Sequence, residues 1–117
     1  MQNYKELKAW EKSHLFTLKV YGTTKLFPRE ELYSLTNQLR RCAVSIPANI
    51  AEGCDKNSKH EFAHYLNISL GSANESEYYL ILSKDLAYLQ PDTFEILFNL
   101  INEVKSMLIS LINKVRT

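Results

Sequence analysis

Residues 91–117, PDTFEILFNLINEVKSMLISLINKVRT, are the stretch that decides the fold. Apolar side chains recur in it at alternating steps of three and four residues, the spacing of a helix that packs against neighbouring helices. The members of this row are Phe94, Leu97, Ile101, Val104, Leu108, Leu111 and Val115. Pro91 lies in the turn before the row, and Asp92 with Glu95 resembles a capping box. The pattern predicts a long amphipathic fourth helix that opens at Asp92.

The same helix carries more apolar surface than one row requires. Ile96, Leu100 and Met107 form a second row. A helix that is apolar around much of its circumference either lies at the centre of a large core or is shared between subunits. Because every helix of so short a chain meets solvent on one side, we expect the second row to form an oligomer interface. A charge introduced at Leu100 would then dissociate the oligomer.

Two other helices are predicted from the same periodicity. Helix 1 covers residues 5–24, and its inner face is expected to carry Leu7, Trp10, Leu18 and Tyr21. Helix 3 opens at Ser58, where Glu61 completes a capping box, and runs to about residue 88. Its small side chains at Ser69, Ala73 and Ser76 would let another helix approach closely.

Helix 2 is predicted between two residues that favour helix ends. Pro28 suits a first helical turn, and Gly53 suits a left-handed C-cap. The core row between them is Leu32, Leu35, Leu39, Cys42 and Ile46. Pro47 lies inside this helix, removes a backbone donor and crowds the carbonyl group of Ala43, so a kink is expected near Pro47.

Together the four segments predict an all-α fold, an antiparallel up-down-up-down four-helix bundle that forms a single domain over residues 1–117. The connections are too short for any other arrangement of neighbours. The first half of the chain, residues 1–60, carries a net charge of +4 and the second half a net charge of −3. These halves would attract each other within the bundle or across an oligomer interface.

Composition excludes several classes of protein. The chain of 117 residues is 45% hydrophobic and 23% charged, which is typical of a globular domain. No apolar run approaches the roughly 20 residues that span a bilayer, so no membrane association is expected. The first residues lack the apolar stretch of a signal peptide. Two cysteines, Cys42 and Cys54, are too few for a disulfide framework, so we expect reduced thiols and a cytoplasmic location.

One string resembles a catalytic motif. His60-Glu61-Phe62-Ala63-His64 has the spacing with which zinc peptidases hold their metal. However, Glu61 already serves as the capping acid, and a third ligand is missing where the longer motif needs one, because Asn67 and Leu70 stand at those spacings. We therefore interpret the string as coincidence and predict no metal, no cofactor and no catalysis. A weaker alternative is a metal site completed by Cys54 or by His14, which is otherwise expected to be a packed histidine.

Two sets of charged residues are candidates for binding. Lys5, Lys8, Lys12 and Lys19 fall on one face of helix 1, where they could follow a phosphate backbone. The alternative is an ordinary solvated face, diluted by Glu6 and Glu11. In helices 2 and 3, Arg40 or Arg41 is expected to form a salt bridge with Glu75 or Glu77. Otherwise one arginine faces outward and binds something else.

Residues 38–53, QLRRCAVSIPANIAEG, resemble the signature of a bacterial family. This four-helix-bundle family was first named for proteins encoded in intervening sequences of 23S ribosomal RNA genes. Further similar stretches are residues 6–10, 27–31, 61–66, 71–77 and 85–89, so the resemblance covers most of the chain. The positions that match the family's polar motif, interpreted as a structural network, are Arg40, Arg41, Asn49, Glu52, Glu75 and Glu77.

The resemblance implies a homopentameric barrel without a known catalytic activity. It also implies a relation to the accessory protein of diversity-generating retroelements, a strongly basic protein that binds nucleic acid and a reverse transcriptase. This chain departs from that relative in being nearly neutral, with a net charge of +1. The predicted function is a homo-oligomeric binding scaffold for RNA, DNA or a nucleic-acid enzyme. The alternative is a protein–protein interaction module with no nucleic-acid role.

Overall fold

A computed structural model describes residues 2–117 and contains four α-helices. They are α1 (Lys8–Thr24), α2 (Leu35–Cys54), α3 (Lys59–Asp85) and α4 (Pro91–Arg116), with short 3-10 turns at Tyr4–Glu6 and Arg29–Glu31. No strand occurs within the described residues. The molecule measures 43 × 24 × 19 Å, so its length is set by the two longest helices.

The helices form a closed square. Each helix packs against the next along the chain and α1 also packs against α4, whereas within residues 2–117 no Cα atoms of the diagonal pairs α1–α3 and α2–α4 lie within 8 Å of each other. Neighbours run in opposite directions: Thr17 of α1 contacts Ala43 of α2 and Thr24 contacts Arg40, and in the same way Ser69 of α3 contacts Ile46 of α2 and Ser76 contacts Cys42. The predicted all-α, up-down-up-down bundle is confirmed.

The core contains the apolar row of α4 with which the sequence analysis began. Phe94, Leu97, Ile101, Val104 and Leu108 are buried, whereas Leu111 and Val115 are half-buried where the bundle ends. From the facing helices, Phe16, Leu39 and Leu66 pack against this row with no more than 1% of their surface exposed. Burying each such side chain contributes about 1.5–3 kcal/mol.

The inner face of α1 differs from the predicted one. Leu18 is 56% exposed and Tyr21 is 42% exposed, whereas Phe16 and Val20 are fully buried. Ser13, Thr17 and Thr24 are buried with them, because each hydroxyl group donates to a backbone carbonyl and so loses little on leaving water. A prediction that places serine and threonine on the solvent side of α1 therefore selects the wrong face of this helix as buried.

Helix α2 begins later than predicted and continues past its proline. Residues 29–31 form a separate 3-10 turn, and Leu32 is exposed. Pro47 lies inside α2 and is buried. Gly53 is not a left-handed cap, because no glycine in the described chain has a positive φ. It lies within the last turn, where an added Cβ would stand 3.0 Å from both Phe62 Cδ1 and Tyr65 Cβ.

The ends of α3 and α4 are set by local hydrogen bonds. Ser58 caps α3 as predicted, since its Oγ accepts the N–H of Glu61 at 3.1 Å. The helix ends at Asp85, before residue 88, because Ala87 adopts a φ of 65°. Tyr88 N–H then donates to the Ser83 carbonyl and Ala87 N–H to that of Lys84, the pattern of a Schellman motif. Helix α4 begins at Pro91, so the N-cap position is Gln90 and not Asp92, and the Gln90 side chain makes no capping hydrogen bond.

Candidate functional site

Small polar side chains form the contact between α2 and α3, which we call the serine seam. Ser69 Oγ donates to the Ile46 carbonyl at 2.9 Å, Ser72 Oγ to Ser45 Oγ at 2.9 Å, and Ser76 Oγ lies 3.1 Å from Cys42 Sγ. Ala73, fully buried, lies between them. The close approach predicted for this stripe is present, and the hydroxyl groups give it specific partners.

Both thiols are buried. Cys54 is only 4% exposed, although it is the last residue of α2. Burial raises the pKa of the Cys42 thiol to about 11, with a smaller contribution from the negative charge of Glu75. Burial likewise raises the pKa of Cys54. Because the thiolate is the reactive form, neither cysteine is prepared for nucleophilic chemistry.

The predicted bridge between an arginine of α2 and an acid of α3 is wrong. Arg40 Nε donates to Thr24 Oγ1 at 2.8 Å, and its guanidinium lies 4.9 Å from the Tyr21 ring centre. Arg40 therefore faces α1, on the opposite flank of α2 from α3. Glu77 pairs with Lys105 of α4 at 3.2 Å.

The other members of the predicted polar network are also separate. Arg41 is exposed on the outer side of α2, and Glu75 is exposed on α3. Asn49 donates to Ser45 at 2.8 Å, and Glu52 pairs with Lys56 at 3.8 Å. The six residues of the polar motif thus serve several local contacts and do not form one cluster.

The four lysines predicted to form a row on helix 1 do so only in part. Lys5 lies in the 3-10 turn before α1. Lys8 stands 3.9 Å from Glu11, and Lys12 stands 3.5 Å from Glu103 of α4. Lys19 lines a cavity of about 670 Å³ at the far end of α1. The carboxylates beside two of the four lysines weaken this row as a path for phosphates.

The second row of α4 does not point outward as predicted. Leu100 is 9% exposed and belongs to the core of this chain, and Met107 is half-buried beside Leu7 and Ala9 of the first helix. Only Ile96 is exposed, at 56%. The outer side of α4 is mixed: its exposed polar residues are Asp92, Glu95, Asn99, Ser106, Ser110 and Asn113, and the apolar side chains of Ile96 and Ile109 are exposed among them. Helix α4 needs its wide apolar arc because it packs against both α1 and α3.

The histidines of the zinc-peptidase-like string lie at the edge of a groove of about 390 Å³ between the start of α3 and the end of α4. We call it the α3–α4 groove; it is lined by Lys59, His60, His64, Asn67, Val115 and Arg116. Glu61 is turned to the cap, with Ser58 Oγ 3.3 Å from its Oε1.

The structure does not complete this string into a metal centre. Within residues 2–117, no three His, Cys, Asp or Glu side chains lie close enough to hold a metal ion. His14 and Cys54, the alternative ligands, do not join it. His14 is exposed and stacks on Trp10 with ring centres 5.1 Å apart, and it is not the packed histidine that was expected.

Sequence reasoning missed an exposed apolar surface on the outer side of α1 and α2. Leu15, Leu18 and Tyr21 follow one another along α1, and Val44 and Ala48 lie on the outward side of α2. We call this set the α1–α2 face. The spacing of Leu15, Leu18 and Tyr21 was visible as a row, but Leu18 and Tyr21 had been assigned to the core.

None of the helices in the described part of the chain is both long enough and apolar enough to cross a membrane. Residues 5–110 match the family described as 23S rRNA-intervening sequence protein. The chain belongs to this family.

A solved structure supports the same family assignment. It is a protein of unknown function from the S23 ribosomal protein family of Bacteroides thetaiotaomicron, and the two share 32% sequence identity. The match has a TM-score of 0.83 and covers 90% of this chain and 95% of the other. The comparison with curated proteins gave no match.

The signature that suggested the family, residues 38–53, lies entirely within α2. Its inward residues, Leu39, Ala43, Ile46 and Ile50, are fully buried or nearly so. Its outward residues include Arg41, Val44 and Ala48, which are exposed. One side of the signature therefore builds the core, and the other contributes to the α1–α2 face.

Proposed function

We propose that this protein is a non-catalytic scaffold that assembles from five copies and binds nucleic acid or an enzyme that acts on nucleic acid. The observation that carries the proposal is the α1–α2 face. Neither thiol is activated, and Glu61 is engaged in the cap of α3. These described residues therefore give little support to a catalytic function.

The α1–α2 face has the composition of a protein interface. Leu18 at 56% exposed and Val44 at 40% exposed lie on neighbouring helices, where Arg40 over the Tyr21 ring joins the two surfaces. Exposed charges of both signs stand around it, at Glu11, Lys25, Arg41 and Glu52. An apolar centre with a polar rim is the usual anatomy of a subunit contact.

The number of copies comes from the family resemblance. A ring of five is closed by a repeated contact between two different patches of the same chain. In such a ring, each weak phosphate contact is present five times, so low affinity per protomer adds up to useful avidity. This offsets the small net charge of a single chain, +1.

The solution mass of the protein tests the assembly. Size-exclusion chromatography with light scattering should give about five times the protomer mass of 13.6 kDa. Leu18→Glu combined with Val44→Glu should reduce the mass to one protomer while leaving the helical circular dichroism intact. The matched control is Leu26→Glu with Tyr33→Glu, two exposed residues outside the face, and it should keep the wild-type mass.

Two results would contradict the proposal. A monomeric wild-type protein would remove the scaffold. Dissociation of the control variant, with an unchanged mass for the variant of the face, would place the interface elsewhere.

A second candidate function is a protein–protein interaction module with no nucleic-acid role. The observation that favours it is the pairing of Lys8 and Lys12 with carboxylates, which offsets the charge of two of the four lysines in the row. If the lysine row binds nucleic acid, that binding should depend strongly on salt, and Lys8→Glu with Lys12→Glu should abolish it. Absent or salt-independent binding of mixed RNA and DNA would favour the interaction module.

A further inference from the structure

We infer that the α3–α4 groove binds a phosphate group of a nucleic-acid backbone, an inference that rests on the proposed binding of nucleic acid. The groove lies at the end of the bundle where α3 begins and α4 ends. It is separate from the lysine row of helix 1 and uses none of its residues.

Two helices bring their basic groups to this groove. Lys59 and His60 open α3, and His64 follows His60 by one turn, so the two imidazoles lie on the same side of the helix. Arg116 comes from the last turn of α4. All four side chains are exposed and line one groove, together with the amide of Asn67.

The electrostatics of the groove favour an anion. None of the described residues that line it is acidic. Neither Lys59 nor Arg116 takes part in an ion pair within residues 2–117, in contrast to Lys8 and Lys12. Glu61, next along α3, is directed to Ser58.

The donors present are those that recognise phosphate. An arginine guanidinium binds phosphate oxygens through two parallel hydrogen bonds, and lysine adds a point charge. The N–H groups of Lys59 and His60 have no carbonyl partner within α3, whereas the N–H of Glu61 is taken by Ser58 Oγ. The positive end of the α3 dipole and the negative end of the α4 dipole meet at this groove, so the side-chain charges of Lys59 and Arg116 decide its sign. Val115 gives the groove an apolar wall against which a sugar can lie.

The same charges argue against a metal ion in this place. Two histidines separated by one turn can chelate a transition metal. Here Lys59 and Arg116 line the same groove and would repel a cation, and no acidic ligand is present among the described lining residues to offset them. An anion is therefore the occupant that the groove fits.

The test measures binding of a fluorescein-labelled single-stranded RNA of mixed sequence by anisotropy over a series of KCl concentrations. Lys59→Gln with Arg116→Gln should weaken binding roughly tenfold at moderate salt and should lower the slope of log Kd against log salt by about 1.4, the value for two phosphate contacts with a single strand. The matched control, Arg29→Gln with Lys84→Gln, removes the same charge at the other end of the bundle and should leave both quantities close to wild type. Circular dichroism checks that both variants are folded.

A second arm separates the sources of phosphate. Calorimetric titration with pyrophosphate should show binding to the wild type that is lost in the groove variant, and pyrophosphate should compete with RNA. If RNA binds equally well to the groove and control variants, the groove is not the site, although binding of nucleic acid stands. If RNA does not bind but pyrophosphate binds in the groove, the site holds free phosphate and the nucleic-acid role fails. If neither binds, both inferences are overturned, whereas the solution mass still decides self-association by itself.

Discussion

At the scale of single residues, the carbonyl group of Ala43 in α2 receives its hydrogen bond from a side chain of α1. Residue 47 is proline, so the Ala43 oxygen has no helical N–H to accept. Thr17 of α1 places its hydroxyl oxygen 3.0 Å from this carbonyl, at a site where Ala43 is fully buried. The same hydroxyl lies 2.9 Å from the Ser13 carbonyl, which already has the helical N–H of residue 17 as its partner. The Ala43 oxygen therefore depends on Thr17.

This dependence predicts a coupled effect on stability. Thr17→Val should lower the free energy of unfolding by about 1–3 kcal/mol, because it leaves a buried carbonyl without a donor. In a Pro47→Ala background the same change should cost less, since the alanine introduced in place of the proline supplies the missing N–H. Urea unfolding of the four variants measures the coupling.

Thr17→Ser is the control for this cycle, because it keeps the hydroxyl group and should keep the coupling. Equal costs of Thr17→Val in both backgrounds would show that the hydroxyl does not serve the Ala43 carbonyl.

At the scale of elements, Gly53 and Gly71, two of the three helical glycines, should respond to alanine in opposite directions. Gly71 is exposed on α3, and nothing lies within 4 Å of an added Cβ, so Gly71→Ala should stabilise the protein by about 1 kcal/mol through helix propensity. At Gly53 the new Cβ would press on Phe62 and Tyr65 at 3.0 Å. Gly53→Ala should therefore lose that gain and destabilise the contact between α2 and α3.

The measurement is the shift of the thermal or urea midpoint for each single variant. Two gains of similar size would show that the contact between Gly53 and helix α3 is loose. Gly22, which also has open space around an added Cβ, serves as a second exposed control.

The elements with unbroken periodicity were predictable from the sequence. The row of α4 and the core row of α2 from Leu35 to Ile46 lie where their spacing placed them. The bundle follows from these rows and from the short connections.

The misses have two physical causes. Helix α1 has two competing rows, and hydroxyl groups that bond to their own helix let the row with Ser13 and Thr17 be buried. The partners of Arg40 and Glu77 depend on how each helix is rotated about its axis, which single-helix periodicity does not specify for polar residues. The α1–α2 face was missed for the first reason and the α3–α4 groove for the second.

At the scale of the whole molecule, the two thiols report on global unfolding. Cys42 and Cys54 lie on the same helix, about 18 Å apart at 1.5 Å per residue, too far for a disulfide. Both are buried, and the pKa of each is raised, that of Cys42 to about 11. The neutral thiols therefore contribute stability below the ordinary thiol pKa of 9, and for Cys42 this contribution is lost as the pH rises through about 11.

We expect neither thiol to react with a maleimide in the native protein at neutral pH. Both should become labelled together as urea is raised, with the same midpoint as the loss of helical circular dichroism. Labelling of Cys54 at clearly lower urea would contradict this and would show that the end of α2 opens separately from the rest.

The serine seam also limits how the bundle can be assembled incorrectly. A leucine-lined contact between two helices tolerates a slip of one turn, about 5.4 Å, since one leucine replaces another. Here a slip of four residues would bring Ala73 and Leu80 to the places of Ser69 and Ser76, and the Ile46 carbonyl and the Cys42 thiol would lose their hydroxyl partners together. The serine seam therefore favours one alignment of α2 and α3. It separates the native alignment in free energy from the alignments that are shifted by one helical turn.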